Sequence, residues 1–154
     1  TGTQRMRWLG TASLTTAAGY SIGFVYRPIT AANTGTIISM IGGDISYNTT
    51  ADSLTTPNNT NTATGQNVSD EDAAACIIIN FSATDTKVYR NGGLVATGAV
   101  GVNTSDAISL GSLYSSTGSA FAQMDLGETW FHTRVLTPTE VTEEAAYMVD
   151  KWAL

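Results

Sequence analysis

Two acidic residues near the C-terminus, Asp125 and Glu128, are the nearest approach in this sequence to a catalytic carboxylate pair. A retaining glycosidase holds two carboxylates roughly 5–5.5 Å apart, and alternate positions of one strand give that separation because their side chains share a face. Asp125 and Glu128 are three residues apart, an odd number, so their side chains would point to opposite faces of a regular strand. The other acidic run, 70–72, is typical of a turn. The sequence therefore predicts no catalytic residues and no enzyme. Among the alternative functions, glycoside hydrolysis is the least favoured.

The chain has one histidine, His132, and one cysteine, Cys76. A lone histidine within a strand is typical of a structural hydrogen-bonding group, and a cysteine flanked by alanine and isoleucine is typical of a core position. One of each cannot make a zinc site without several carboxylates, and neither a Ser-His-Asp triad nor a phosphate-binding loop can be identified. We therefore predict no metal centre built from these residues.

Aromatic residues at strand ends suggest a different chemistry, the binding of sugars. Aromatic faces stack on the C–H surfaces of pyranose rings, and a few planar polar groups fix the orientation. The candidate ligand-binding residues are Tyr47, Tyr89 and Tyr114, with Arg90 and Asn91. The alternative is that these aromatic residues pack in the core or are exposed singly. Trp8, Trp130 and Trp152 are assigned to the core and to helix docking.

Length and charge restrict the class of protein. The 154 residues suit one domain, 1–154, which fills the chain and favours a free-standing protein over a fragment. The net charge is −6 with no basic run, which argues against nucleic-acid binding and against anionic membrane surfaces. No apolar run approaches the roughly 20 residues of a membrane span.

The C-terminal segment predicts one short α-helix. Thr137, Pro138 and Glu140 form a capping-box pattern with proline at the first helical position. From Val141 to Trp152 apolar residues recur at helical spacing, which predicts one buried stripe. The segment before the helix, 126–135, is rich in β-formers and predicts a strand.

The rest of the chain predicts nine or ten strands separated by short turns. The clearest segments are 20–27, 36–41, 73–81 and a hairpin of 86–90 with 94–98 across Asn91-Gly92-Gly93. The first strand is expected at 5–9, followed by a turn region at 14–19. The Asn- and Thr-rich range 48–67 predicts a long exposed loop with room for a small hairpin, either a contact surface or a plain insertion.

Short motifs in a fixed order run through nearly the whole chain: Met6-Arg7-Trp8-Leu9-Gly10, Tyr20 to Pro28, Val88 to Val95, Asp125-Leu126-Gly127-Glu128, Arg134-Val135-Leu136-Thr137 and Lys151-Trp152. Their order resembles that of concanavalin A-like lectin/glucanase domains of the laminin-G-like type. The resemblance implies an all-β fold, a two-sheet antiparallel jelly-roll sandwich with one short C-terminal α-helix. The Glu-x-Asp-x-x-Glu strand of the catalytic members has no match here.

Domains of this type often hold a calcium ion at the rim through aspartates and loop carbonyls. Four loop or strand-end aspartates could contribute, although none lies in a dense cluster and turn capping is the alternative for each: Asp44, Asp85, Asp106 and Asp125. We expect no cofactor, with calcium as the one candidate ion.

Composition and compact length favour a non-catalytic surface or structural module of a virion, of the capsid-decoration or tail-fibre type, with glycan adhesion. Its expected partners are other virion subunits, further copies of itself and surface glycans, and its expected location is the virion surface or the extracellular space. The alternative is a carbohydrate-binding module of a secreted bacterial enzyme or adhesin.

Overall fold

The computed structural model describes residues 6–28, 34–40, 43–48, 53–55, 62–64, 74–99, 102, 104–110 and 124–154. These residues form strands followed by one helix: β1 (Met6–Thr15), β2 (Tyr20–Pro28), β3 (Thr34–Met40), β4 (Gly43–Asn48), β5 (Ser53–Thr55), β6 (Thr62–Thr64), β7 (Ala75–Phe81), β8 (Thr86–Arg90), β9 (Gly93–Gly98), β10 (Thr104–Leu110), β11 (Met124–His132) and α1 (Pro138–Trp152).

The strands make two antiparallel sheets. One has six strands in the order β1-β10-β3-β4-β5-β6, and the other has five in the order β11-β2-β7-β8-β9. The predicted all-β, two-sheet fold with a C-terminal helix is therefore confirmed. One local expectation, the extent of the first strand and the turn after it, needed revision, and the small hairpin for which the sequence left room is present. β1 continues to Thr15, so the turn is confined to 16–19, and a hairpin of β5 and β6 occupies part of the range 48–67. The rest of that range lies outside the described residues.

The main core lies between the two sheets. β2 and β7 are neighbours, and alternate residues of each point inward: Ile22, Phe24 and Tyr26 from β2, and Ala75, Ile77, Ile79 and Phe81 from β7. Ile37 and Ile38 reach the same cluster from β3 in the opposite sheet. Because successive side chains of a strand point to opposite faces, this alternation leaves the other residues of β2 and β7 for the outer face.

The outer face of the five-stranded sheet is covered by α1. Three helical residues, Val141, Ala145 and Met148, are buried against this face. They meet a second apolar cluster made by the sheet: Val25, Cys76, Ile78 and Tyr89. All seven residues of β7 are buried, since one face meets the core and the other meets the helix. This double burial explains why β7 reads as an almost unbroken apolar run.

The ends of α1 form as the sequence predicts. The backbone N–H of Glu140 donates to the Thr137 hydroxyl at 3.3 Å, and the Thr137 N–H donates to the Glu140 carboxylate at 2.8 Å. Arg134 adds a two-pronged ion pair to the same carboxylate, at 2.8 and 2.6 Å. At the other end Ala153 adopts a left-handed conformation, φ 51°, and its N–H donates to the Val149 carbonyl. The helix is therefore fixed by local signals at both termini.

A buried polar network fastens the corner between β11 and α1 to the sheet. Asn80 is 3% exposed; its Nδ2 donates to the Leu136 carbonyl at 2.8 Å, and its Oδ1 accepts from the Ser21 hydroxyl at 2.7 Å. The Leu136 N–H in turn donates to Ser21 Oγ at 3.0 Å. These bonds satisfy the backbone of the corner where water is excluded, so they fix the point at which the chain leaves the sheet.

Candidate functional site

Of the ligand-binding residues predicted from the sequence, the structure describes the side chains of Tyr89, Arg90 and Asn91. Tyr89 is 8% exposed and packs in the cluster under α1. Asn91 occupies the turn of the β8–β9 hairpin with φ 48°, where its Oδ1 accepts from the Cys76 N–H at 2.8 Å. Arg90, at the end of β8, is half-buried. The structure therefore gives Tyr89 and Asn91 packing and turn contacts, and their contact with a sugar stays a prediction.

Two of these residues cannot be placed at a site. Tyr47 belongs to β4 in the six-stranded sheet, the sheet opposite to that of Tyr89, and its side chain lies outside the described residues. Tyr114 lies wholly outside the described residues.

An open groove lies where β2 and β11 meet the C-terminal end of α1. Its volume is about 290 Å³, and its described lining residues are Val25, Tyr26, Arg27, Ala74, Asp125, Leu126, Gly127 and Trp152. We call it the Trp152 groove. It combines an aromatic ring, an apolar floor and one pair of opposite charges, which are the components of a small polar-ligand site.

Trp152 forms one wall of the groove, with 42% of its surface exposed. A Cβ atom added to Gly127 would lie 3.2 Å from the Trp152 ring and 3.3 Å from the Val25 Cβ, so the indole packs closely on the strand at this glycine. The expected burial of Trp152 in helix docking is therefore only partly realised. Trp130 behaves as expected: it packs over Gly23 at the second cluster, and the side chain of Trp8 lies outside the described residues.

A polar pair borders the groove beside the indole. Arg27 donates from both Nε and Nη2 to Asp125 Oδ2, with the Nε contact at 3.1 Å. The Arg27 and Asp125 side chains are 51% and 56% exposed, so both groups reach solvent. Sequence reasoning missed Arg27 because the pairing depends on the register of β11 against β2. Gly127 within a strand was the one local signal, since such a glycine often marks a close approach.

Irregular pairing in β11 corrects the expectation for Asp125 and Glu128. Leu126 pairs with Tyr26 but Thr129 pairs with Phe24, so β11 contains one extra residue between them. The extra residue shifts the alternation, as a β-bulge does. Glu128 accordingly reaches Lys151 of α1 at 2.6 Å, on the same outer face as the Asp125–Arg27 pair. The prediction of opposite faces was wrong, but each carboxylate has a cationic partner of its own.

A second depression of about 540 Å³ lies over the first turns of α1. His132 Nε2 lies 3.6 Å from the Glu144 carboxylate at its border, and Tyr147, also at the border, is 55% exposed. The Arg134 guanidinium lowers the pKa of the Glu140 carboxyl to about 2. Within this depression His132 and Arg134 both face acidic residues of α1, an arrangement that ties the helix to β11.

The described part of the chain includes the side chains of two of the four candidate calcium ligands, Asp85 and Asp125. It contains no group of three or more His, Cys, Asp or Glu residues placed to hold an ion. Asp125 is paired with Arg27, and Asp85 lies 3.0 Å from the Lys87 ammonium, so neither carboxylate is disposed toward calcium. The side chains of Asp44 and Asp106 lie outside the described residues.

Cys76 is buried in β7, and burial raises the pKa of its thiol to about 12. A thiol in this state is not nucleophilic at neutral pH, which agrees with the core position predicted for it. No helix among the described residues has both the length and the apolar character needed to cross a membrane.

No family model matches this sequence, and no curated protein matches it. Solved structures do match its fold. The binding domain of botulinum neurotoxin DC in complex with SialylT is 15% identical with a TM-score of 0.60; the match covers 85% of this chain and 36% of that chain. A Trypanosoma rangeli sialidase in complex with a difluoro-KDN compound is 11% identical with a TM-score of 0.63; the match covers 88% of this chain but 23% of the sialidase.

A native heptameric SAP-like pentraxin from Limulus polyphemus is 14% identical with a TM-score of 0.63; the match covers 92% of this chain and 75% of the pentraxin. At these identities the likeness concerns the fold. By the coverages given above, this chain spans about a third or less of the toxin and sialidase chains but most of the pentraxin. The chain shares their two-sheet jelly-roll fold, which is the fold that the resemblance in its sequence implied.

Proposed function

We propose that this protein is a non-catalytic glycan-binding module that holds a sugar residue in the Trp152 groove. The observation that carries the proposal is the half-exposed Trp152 indole beside the Arg27–Asp125 pair. An indole face matches the C–H surface of a pyranose, and a neighbouring donor and acceptor can orient its hydroxyls. The packing on Gly127 holds the ring in place before a ligand arrives, which lowers the ordering cost of binding.

The fold supports the same class of function. The toxin domain and the sialidase described above were both solved with sugar-like ligands, as their names state. One fold hosts many functions, so this likeness supports glycan binding only in combination with a suitable site. The groove, on the outer face beside the C-terminal helix, is the candidate for that site.

Non-catalytic binding is favoured by the state of the two carboxylates. Glycoside hydrolysis needs one carboxylic acid that keeps its proton near neutral pH, usually through burial or a neighbouring carboxylate. Asp125 instead lies beside Arg27, and Glu128 lies beside Lys151. Each carboxylate is therefore bonded to a cationic side chain of its own, an arrangement that suits a hydrogen-bond acceptor better than a general acid.

The test is binding of the labelled protein to an array of immobilised glycans, comparing Trp152→Ala with Tyr147→Ala. Tyr147 is a matched control because it is an aromatic residue of the same helix, 55% exposed, that does not line the groove. We expect Trp152→Ala to abolish glycan binding and Tyr147→Ala to leave it intact. An array with no bound glycan, or equal binding by both variants, would contradict the proposal.

A second candidate function is that of a subunit in a larger assembly, such as the surface of a virion. The observation that favours it is the position of β11 at the edge of its sheet among the described strands, where Phe131 is 40% exposed and Val135 just beyond is 39% exposed. An edge strand with exposed apolar side chains is a surface that a second chain can pair with. Light scattering on wild type and Phe131→Lys tests it: a symmetric oligomer that the substitution dissociates supports assembly, and a wild-type monomer at high concentration contradicts self-assembly.

A further inference from the structure

We infer that the Trp152 groove selects uncharged pyranose residues that present two adjacent hydroxyls, and discriminates against sialylated ends. This inference rests on the proposed glycan-binding function and names its ligand class. It concerns the chemistry of the Arg27–Asp125 pair, which decides what the groove can recognise.

Among the described lining residues, the charges of the groove cancel. Arg27 and Asp125 are the only charged residues among its described lining, and they are bonded to each other. The chain as a whole carries −6, so its long-range field repels anions. A sugar carboxylate would therefore approach a neutral site on an acidic protein, with no net attraction to offset the loss of its hydration.

With respect to the residues that the structure describes, the pair also keeps one donor and one acceptor available. Both contacts of Arg27 go to a single oxygen of Asp125, Oδ2, and they use Nε and Nη2. Arg27 Nη1 and Asp125 Oδ1 make no hydrogen bond within the described part of the chain. Two adjacent sugar hydroxyls can accept from Nη1 and donate to Oδ1 without breaking the ion pair, because each hydroxyl is both donor and acceptor.

An anionic sugar interacts less favourably with the Arg27–Asp125 pair. Its carboxylate has to share Arg27 with Asp125, which brings two negative groups to one guanidinium. The like charges repel, and the Nε–Nη2 edge of the guanidinium is already used by Asp125. The neutral diol is therefore the better match to the pair as it stands.

The size of the groove points to one sugar ring. Its volume of about 290 Å³ lies at the lower limit of ligand sites, which run from about 300 to 1,000 Å³. A single terminal or branch residue therefore fits the groove better than an extended oligosaccharide.

The experiment is titration calorimetry with four probes: the methyl glycosides of glucose, galactose, mannose and N-acetylneuraminic acid. The variants are Asp125→Asn and, as the matched control, Glu143→Gln. Both remove one carboxylate charge, but Glu143 is exposed and lies nine residues before Trp152 on α1, about 13 Å along the helix axis. Arg27→Gln is the second groove variant, and circular dichroism confirms that each variant is folded.

We expect wild type to bind at least one neutral glycoside more tightly than the sialoside. Asp125→Asn frees the Arg27 guanidinium, so we expect the preference to shift toward the sialoside by about tenfold, since charge-assisted hydrogen bonds are roughly twice as strong as neutral ones. Arg27→Gln should weaken neutral binding without this gain, and Glu143→Gln should leave all four affinities unchanged.

The possible results distinguish the inferred selectivity of the groove from the proposed glycan-binding function. Tighter binding of the sialoside by wild type, lost in Trp152→Ala, would overturn the inference and leave the proposed function standing. Neutral binding whose selectivity does not change in Asp125→Asn would also overturn the inference. Binding of none of the four probes, together with an empty glycan array, would overturn the proposed function itself.

Discussion

Replacing Asn80 with alanine is expected to loosen the corner that joins β11 to α1. The Asn80 side chain is 3% exposed and makes two hydrogen bonds, one to the Leu136 carbonyl at 2.8 Å and one from the Ser21 hydroxyl at 2.7 Å. The first bond joins the sheet to the corner. The second, within the sheet, positions the Ser21 hydroxyl that accepts from the Leu136 N–H, so the loss of both acts on the attachment of the helix.

The expected loss of stability depends on whether each hydrogen-bond partner of Asn80 finds another partner in the variant. The Ser21 hydroxyl can turn to the Arg134 carbonyl at 3.0 Å, so it keeps an acceptor. The Leu136 carbonyl loses its donor while buried, and a stranded buried polar group costs about 1–3 kcal/mol. For a domain of this size about 2 kcal/mol corresponds to a fall in Tm of about 4–8 °C.

Urea unfolding followed by circular dichroism measures the free energy of unfolding of Asn80→Ala. Thr97→Ala is the control, because Thr97 is an exposed residue on the edge strand β9 and its loss should change the free energy by less than about 0.5 kcal/mol. If Asn80→Ala were as stable as the control, the network would contribute nothing and our account of the corner would be refuted.

Three further outcomes follow from the packing and the helix cap. Gly23→Ala should destabilise the fold by about 1–3 kcal/mol in urea unfolding, because its Cβ would lie 2.1 Å from the Trp130 ring. Met148→Ala should cost about 2–5 kcal/mol by the same assay, because Met148 is 3% exposed under the helix. The pKa of Glu140 is lowered from 4.5 to about 2, chiefly by Arg134. The contribution of this carboxylate to stability is therefore present above pH 4.5 and lost as the pH falls toward 2. Between these pH values the stability of Glu140→Gln should fall less than that of wild type.

Each of these predictions has a defined contrary result. Gly93→Ala is the control for Gly23→Ala, since its added Cβ would lie 3.5 Å from the Arg90 carbonyl, an ordinary contact. Equal stability of the two glycine variants would contradict close packing of Trp130. A Met148→Ala protein with unchanged stability would show that α1 does not bury this residue in solution, and parallel pH profiles of wild type and Glu140→Gln would contradict the role of the cap.

The helix and the hairpin could be predicted because their signals are local. The capping box of Thr137 and Glu140, and the Asn91-Gly92 turn with φ 48° and 85°, are set by residues a few positions apart. The two-sheet fold was predictable from the order of the motifs and from the alternation of apolar residues. The helix cap and the hairpin turn depend on residues close together along the chain, where sequence patterns are most informative.

The groove could not be predicted because it depends on register. The Arg27–Asp125 pair exists because β11 lies antiparallel to β2 with these two residues opposite each other. The extra residue between Leu126 and Thr129 then turns Glu128 toward α1, which the regular alternation of a strand does not anticipate. Trp152 belongs to the apolar stripe of the helix by sequence, yet it lies at the end of the sheet and keeps 42% of its surface exposed.

The most direct test of the account is to follow the indole N–H resonances of the three tryptophans by NMR while a neutral methyl hexoside is added. Trp152→Phe assigns the resonance of Trp152, and Trp130, packed on Gly23 away from the groove, serves as an internal control. We predict that the Trp152 resonance shifts with saturation while that of Trp130 stays in place. A titration in which the Trp152 resonance does not move, with every hexoside tried, would contradict sugar binding in this groove.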